Sequence, residues 1–214
     1  NWWHYVDDVV TIWEKVKFTY IEENNQVKIT GYVDNGVDVI IPSMIGNKPV
    51  VAIGANAFSG NTAITSVTIP YGVISIGYRS FASCSSLTKI DIPNSVGSID
   101  ALAFGYCRSL MNVFIPNSVT SIGDFAFHYC ASLTNIIIPD SVESIGDYAF
   151  SYCYDLTSVV ICKSVTSIEC GAFYRCESLE DVYYTGSEEE WNKISIDYNN
   201  GDLISATEHY NYKL

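Results

Sequence analysis

A period of 23 residues runs through most of this chain and decides what it can fold into. Pro70, Pro93, Pro116 and Pro139 keep that step. So do Phe58, Phe81, Phe104, Phe127, Phe150 and Phe173, and Cys84, Cys107, Cys130, Cys153 and Cys176. Two further columns in phase are Leu87, Leu110, Leu133, Leu156 and Leu179, and Ile53, Ile76, Ile99, Ile122, Ile145 and Ile168. The unit reads L-T-x-I-x-I-P-x-S-V-x-S-I-G-x-x-A-F-x-x-C-x-S. A unit this short cannot bury its own apolar face, so it must stack on its neighbours, and the chain is a solenoid.

Each unit parses into local structure. Leu87-Thr88-Lys89-Ile90-Asp91-Ile92 has apolar residues at its first, fourth and sixth positions, the strand pattern L-x-x-L-x-L. Pro93 ends it, because proline has no N–H for the ladder, and Asn94-Ser95 makes the turn. Val96 and Ile99 point back inside along a second short extended stretch. Gly77, Gly123 and Gly146 follow, replaced by Asp100 and Glu169 in two units. The Ala-Phe pair and the Cys then fill the core from a tight turn or helical bend. Pro42 to Pro70 spans 28 residues, so the first unit carries an insertion near Met44–Pro49, and Cys162 and Thr185 stand in the proline slots of the last. Six units are expected between about Pro42 and Thr185.

These units, Ser118-Val119-Thr120-Ser121-Ile122-Gly123-Asp124-Phe125-Ala126-Phe127-His128-Tyr129-Cys130 among them, resemble the BspA-like, or Treponema-type, leucine-rich repeats. The stretch Val182-Tyr183-Tyr184-Thr185-Gly186-Ser187-Glu188-Glu189-Glu190-Trp191 resembles an ending common in that family. The resemblance covers about residues 18–212. It implies a β-rich α/β solenoid, a right-handed leucine-rich-repeat superhelix of about six 23-residue units with a cap at each end. It also implies a bacterial surface or secreted setting and adhesion to a host, matrix or other cell-surface protein. The family has no general catalytic motif to carry over.

Residues 1–41 are expected to form an N-terminal cap, 42–185 the repeats and 186–214 a C-terminal cap. Trp2, Val6, Val9, Trp13 and Val16 are spaced four, three, four and three, which predicts a helix over about Trp3–Lys15. Phe18–Ile21 and Val27–Thr30 flank a turn and read as a hairpin. Ser187 and Glu190 have capping-box spacing ahead of Trp191 and Ile194, and Ser205–Tyr212 reads as a last strand.

Composition narrows the function. The chain has 11 Lys+Arg against 24 Asp+Glu, a net charge of −13, which argues against nucleic acid or an anionic membrane face as partner. No apolar run approaches the roughly 18 residues of a spanning helix, so no membrane insertion is expected. The chain opens on Asn1 without a basic and then apolar leader, and so reads as a processed or excised piece. Of the seven cysteines, five form one column whose slot wants a small buried apolar residue. Cys162 and Cys170 lie outside it and can pair with each other. No C-x-x-C, H-E-x-x-H, G-x-S-x-G or phosphate-binding glycine loop occurs, so no metal, cofactor or enzymatic activity is expected. Asp124 and Asp147 form a two-member carboxylate column that the repeat itself explains. Glu188, Glu189 and Glu190 read as a solvated first helical turn.

Surface columns are more informative than any motif. Strand position five faces outward and reads Thr68, Asp91, Phe114, Ile137, Val160 and Tyr183; position three reads Ser66, Lys89, Asn112, Asn135, Ser158 and Asp181. The apolar run with its polar rim marks a binding face, with Asp91, Phe114, Ile137, Val160, Tyr183, Asn112 and Asn135 as the candidate contacts. The bland alternative is strand propensity alone. Tyr106, Tyr129 and Tyr152 form a second column, beside Leu102, Phe125 and Tyr148. Such rings can stack on sugars or anchor a protein, or simply pack on one another. The sequence therefore supports a non-enzymatic protein-binding module, with a polysaccharide-binding module or a structural spacer as alternatives.

Overall fold

The computed structural model describes residues 17–214, together with the backbone pairing of Tyr5–Val6 with Val9–Val10. Stacked coils build a β-solenoid. Each coil contributes a front strand, a back strand and a tight turn. Front strands are Asp38–Ile40, Ser66–Thr68, Lys89–Asp91, Asn112–Val113, Asn135–Ile138, Ser158–Ile161, Asp181–Tyr184 and Thr207–His209. They form two parallel four-stranded sheets that meet between Asn112–Val113 and Asn135–Ile138. Across that junction the Thr134 N–H still donates to the Met111 carbonyl at 3.2 Å. From Lys48–Ile53 to Ser167–Ile168 the back strands, mostly Ser-Ile pairs such as Ser98–Ile99 and Ser121–Ile122, run as one parallel ladder in 23-residue register. Eight front strands mean that stacking runs one coil beyond the six sequence units at each end.

The third side is closed by backbone hydrogen bonds as well, although it contains no strand. The Phe81, Phe104, Phe127 and Phe150 N–H groups donate to the carbonyls of Ala103, Ala126, Ala149 and Ala172 at 2.7–2.8 Å. Backbone pairing on three sides satisfies the polar groups that burial would otherwise strand. It also forces equivalent side chains on top of one another. The column Phe58 to Phe173 is fully buried, with successive rings stacked at centroid distances of 4.8–5.4 Å. Beside it the Cys84, Cys107, Cys130, Cys153 and Cys176 thiols each donate to the carbonyl of a phenylalanine 26 residues earlier, at 3.1–3.5 Å.

The ends depart from the repeat for identifiable reasons. Met44–Ile45 pairs antiparallel with Lys48–Pro49, so the extra residues of the long first unit form a small hairpin on the coil. Phe18–Glu23 pairs antiparallel with Gln26–Tyr32 through Asn24 and Asn25, both at positive φ, and closes the back ladder. Where a helix is expected over about Trp3–Lys15, Tyr5–Val6 and Val9–Val10 pair as antiparallel strands, in keeping with their β-branched and aromatic residues. The remainder of that span lies outside the described residues. At the other end Glu188–Trp191 is one helical turn with a complete Ser187/Glu190 capping box. Residues 186–214 form a further coil: Ser195–Ile196 joins the back ladder, Gly201–Ser205 is a second short helix, and Thr207–His209 joins the front. In that coil side chains replace carbonyls. Asn200 Oδ1 accepts from the Phe173 N–H and an Asp202 carboxylate oxygen from the Arg175 N–H, each at 3.0 Å.

All seven cysteines are buried and free. Cys162 lies by Thr185 and Asp140, Cys170 by the Tyr148 hydroxyl and Asn199. Burial pushes the Cys84 and Cys153 thiols up to about 12 and raises Cys107, Cys130 and Cys176 well above the ordinary range. Thiolates form only on unfolding, so the column cysteines should resist an aromatic disulfide reagent at about pH 8 until denaturant is added. Labelling in the native state at a rate near that of a free thiol would refute this. Replacing Phe127 with Ala removes one ring from the middle of the stack and should cost about 3–5 kcal/mol, read as a lower denaturant midpoint.

Candidate functional site

Two surfaces carry the sequence-derived candidates. On the front, strand registers place Ile40, Thr68 and Asp91 in one outward column, and Ile137, Val160, Tyr183 and His209 in its continuation. Phe114, just after the strand Asn112–Val113, stands in the same repeat position between them. Phe114 is 63% exposed, Ile137 37% and Ile40 76%. Val160 and Tyr183 are half-buried. Tyr183 is covered on one side by His209, stacked at 4.6 Å, and touches the Tyr212 ring at 4.8 Å. His209 Nε2 lies 2.7 Å from Asp181 Oδ1, which closes the C-terminal end of the stripe. Asp91 is exposed and bridges to Lys89 at 3.1 Å. Asn112 and Asn135 are exposed on the rim, with Asn135 Nδ2 donating to Thr134 Oγ1 at 3.1 Å. The front face thus brings together Phe114, Ile137 and Val160, with Met111 exposed at the junction beside them. Ile40 and His209 extend the column beyond what the proline-to-proline units reveal.

The turn side carries Tyr106, Tyr129 and Tyr152. Two positions of every turn sit at positive φ. One column is Asn56, Arg79, Leu102, Phe125, Tyr148 and Gly171; the other is Gly60, Ser83, Tyr106, Tyr129, Tyr152 and Arg175. Left-handed backbone costs a non-glycine residue on the order of 1 kcal/mol. Glycine would be relaxed in these slots, yet aromatic residues fill five of them. Cross-coil packing offsets the cost. Tyr106, Tyr129 and Tyr152 stack at 5.8 and 5.7 Å, and Phe125 stacks on Tyr148 at 5.2 Å. Tyr154 meets Tyr129 and Tyr152 edge-on, and Arg108 lies 5.0 Å over the Tyr129 ring. Both faces of Tyr129 and one face each of Tyr106 and Tyr152 are therefore turned to neighbouring rings, and Tyr106 stays 38% exposed.

Between these two aromatic ridges runs a groove, and His128 lies in it. Its imidazole is edge-on to Tyr106 at 5.0 Å, Phe125 at 5.5 Å and Tyr152 at 5.4 Å. His128 Nδ1 is 2.8 Å from Ser151 Oγ, which itself donates to the Tyr148 carbonyl at 2.7 Å. This network makes Nδ1 the protonated nitrogen of the neutral ring. Sequence reading passed over His128 because it completes no motif. The 23-residue column Ala82, Gly105, His128, Ser151 and Tyr174 would have placed it.

The acidic residues at the back corner are structural. Asp124 Oδ1 accepts from the Asp147 N–H and Asp147 Oδ1 from the Cys170 N–H, both at 3.0 Å. Each carboxylate thus holds the next coil. Among the described residues no group of three His, Cys, Asp or Glu side chains is placed to hold a metal ion. The Ser187 backbone N–H and hydroxyl hold Glu190 below its ordinary value, as a capping carboxylate requires.

Burial pushes the His128 imidazole below its ordinary value of 6.5. The unfolded chain then takes up this proton more readily than the folded one. The His128 contribution is intact above about pH 6.5 and is lost as pH falls through the lower folded value. Denaturant midpoints should therefore fall between about pH 7.5 and 5.5, and His128→Gln should flatten that slope whatever it does to absolute stability. An unchanged slope in the variant would exclude His128 as the source.

The comparisons with known proteins agree with this geometry. The BspA type leucine-rich repeat region, in six copies, matches residues 51–180. The leucine-rich repeat protein of T. pallidum is similar at 30% identity over 85% of this chain and 83% of its own, with a TM-score of 0.78. A leucine-rich cell surface protein of Faecalibacterium prausnitzii is similar at 27% identity and a TM-score of 0.75. The alignment spans 97% of this chain but 56% of that one, so the chain covers just over half of the Faecalibacterium protein. A leucine-rich repeat protein of Eubacterium ventriosum matches at 25% identity and a TM-score of 0.56, over 82% of this chain and 43% of its own. No match is found among curated protein sequences. Repeat period, coil geometry and sequence similarity lead to one conclusion: the chain belongs to the BspA-type leucine-rich repeat family.

Proposed function

We propose that the chain is a non-enzymatic binding module that takes a protein partner on its front strand face, in a bacterial surface or secreted setting. The observation that carries this reading is the outward column around Phe114, Ile137 and Val160. Its members stand one coil apart along the front, on either side of the junction of its two parallel sheets, with exposed Asn112 and Asn135 as a polar rim. An apolar centre with a polar rim is the anatomy of a protein interface. Phe114 has the largest exposed apolar side chain in the column and is the expected anchor. The surface setting is supported by the description of the Faecalibacterium neighbour as a cell surface protein. No helix among the described residues is long and apolar enough to cross a membrane.

A polysaccharide role for the tyrosine column has less support. Sugar stacking needs free ring faces, and in this column Tyr129 gives both of its faces, and Tyr106 and Tyr152 one each, to neighbouring rings.

The test is a binding panel of purified matrix and cell-surface proteins beside polysaccharides, run with the intact, reduced protein. At least one protein should bind saturably. The combined variant Phe114→Ser, Ile137→Ser and Val160→Ser should weaken it roughly thirtyfold or more, while Tyr106→Gly leaves it unchanged. Protein binding that survives the triple variant, or binding confined to polysaccharides, would overturn the reading.

A further inference from the structure

We infer that the protein partner of the front face is basic: a segment whose apolar side chains lie on Phe114, Ile137 and Val160 and whose Lys or Arg side chains reach the coil beyond Val160. This rests on the front-face reading and adds to it the charge of the partner. Charge is unevenly spread along the solenoid. Residues 17–90 carry four Asp+Glu and five Lys+Arg, whereas residues 91–214 carry seventeen and five. The stripe lies in the acidic part, and the repeat columns beside it turn acidic around Val160. Asn112, Asn135 and Ser158 are followed in their column by Asp181. Thr134 and Thr157 are followed by Glu180, whose N–H donates to the Thr157 carbonyl at 3.0 Å. Ahead of the strand, Ser86, Ser109 and Ser132 give way to Asp155.

The fold does not ask for these carboxylates. Thr88 and Thr157 Oγ1 each donate to the carbonyl of the residue one coil earlier, Thr65 and Thr134, at 3.1 Å. An ionised glutamate has no donor, so Glu180 gives up that bond between coils. Asp155 and Glu180 are exposed, and Asp181 is half-buried beside His209. On the other side of the stripe Asp91 is already paired with Lys89. The front face therefore has a direction: neutral, then apolar, then acidic. Neighbouring strands are about 4.8 Å apart, so the Asp181 coil lies about 5 Å beyond Val160 and about 15 Å beyond Phe114, a span of about five extended residues. A neutral partner laid over the stripe would strip water from the acidic edge and put nothing in its place, and an acidic one would be repelled. Lys or Arg replaces that water with charge-assisted hydrogen bonds. The same field speeds encounter with a cationic segment and selects against an anionic one.

The probe is a phage-displayed library of short random peptides selected on the intact, reduced protein, with the most enriched peptide then made free and titrated. Enriched peptides should join apolar residues to Lys or Arg and carry net positive charge. Affinity should fall about fivefold or more between about 50 and about 500 mM salt. Asp155→Ser combined with Glu180→Thr restores the residues that those columns carry in other coils, so the fold is kept, and should weaken the peptide about fivefold or more. Glu143→Thr removes a carboxylate from the back face, where Thr120 and Thr166 hold the same column, and should leave affinity as it is. Neutral or acidic peptides, a selection that returns none, or affinity indifferent to salt and to the double variant would overturn this inference and leave the front-face reading standing. Equal loss in Glu143→Thr would overturn it too, since the charge of the whole chain and not this edge would then be responsible. Binding that survives Phe114→Ser, Ile137→Ser and Val160→Ser together would overturn the front-face reading itself.

Discussion

Hydrogen bonds from each coil to the next, on three sides of the cross-section, stand the side chains of the regular coils on their 23-residue neighbours. The front and back ladders do this with short parallel strands. The turn side does it without any strand, through the N–H groups of the phenylalanine column. Once this framework is in place the core has little freedom. A ring must sit on a ring, and a thiol must donate to the carbonyl beneath it. The Phe column is uniform because one narrower member would open a cavity that its neighbours, held by their own backbones, could not collapse to fill.

The same constraint explains the cost carried by the turns. A coil that closes in 23 residues needs sharp reversals, and two positions in each turn are driven to positive φ. Most of these positions hold residues with a Cβ. What offsets the strain is specific to this architecture. Stacked coils bring equivalent side chains to ring-contact distance, so an unfavourable backbone in one coil is repaired by a favourable contact with the next. Tyr106, Tyr129 and Tyr152 show this, and so do Phe125 and Tyr148. At Gly60, where an added Cβ would meet nothing, and at Gly171, where the Tyr148 ring leaves no room for one, glycine occupies the slot.

Much of this was legible in the sequence, because a period needs only counting. The columns predicted which residues are buried, that Asp124 and Asp147 serve the repeat, and that Phe114 and Ile137 face outward. Three features were not legible. Tyr5–Val10 is short enough that helical spacing and β-branched composition compete, and the described residues pair as strands. At 186–214 the capping-box helix and the last strand stand where the sequence puts them; what the segment's own spacing hid is that it stacks as a full coil. The groove around His128 was missed for a different reason. Motif reading asks what a histidine does with its sequence neighbours, whereas the partners here are one coil away in either direction.

Uniform and variable columns within one chain divide the labour between folding and recognition. The six phenylalanines are identical because packing leaves one answer. The front column reads Ile40, Thr68, Asp91, Phe114, Ile137, Val160, Tyr183 and His209, and the groove floor reads Ala82, Gly105, His128, Ser151 and Tyr174. All of these stand on the same backbone geometry, so the fold does not dictate their differences. The local variation does carry local consequences: His128 sets a ring against Tyr106, Phe125 and Tyr152, and Phe114 projects where Asp91 pairs with Lys89. A repeat that holds its core constant can change one outward residue with little effect beyond the two coils beside it, since most contacts of a coil are with those two. Recognition in this chain is therefore to be sought where its repeats disagree with one another, and the front stripe is one such place.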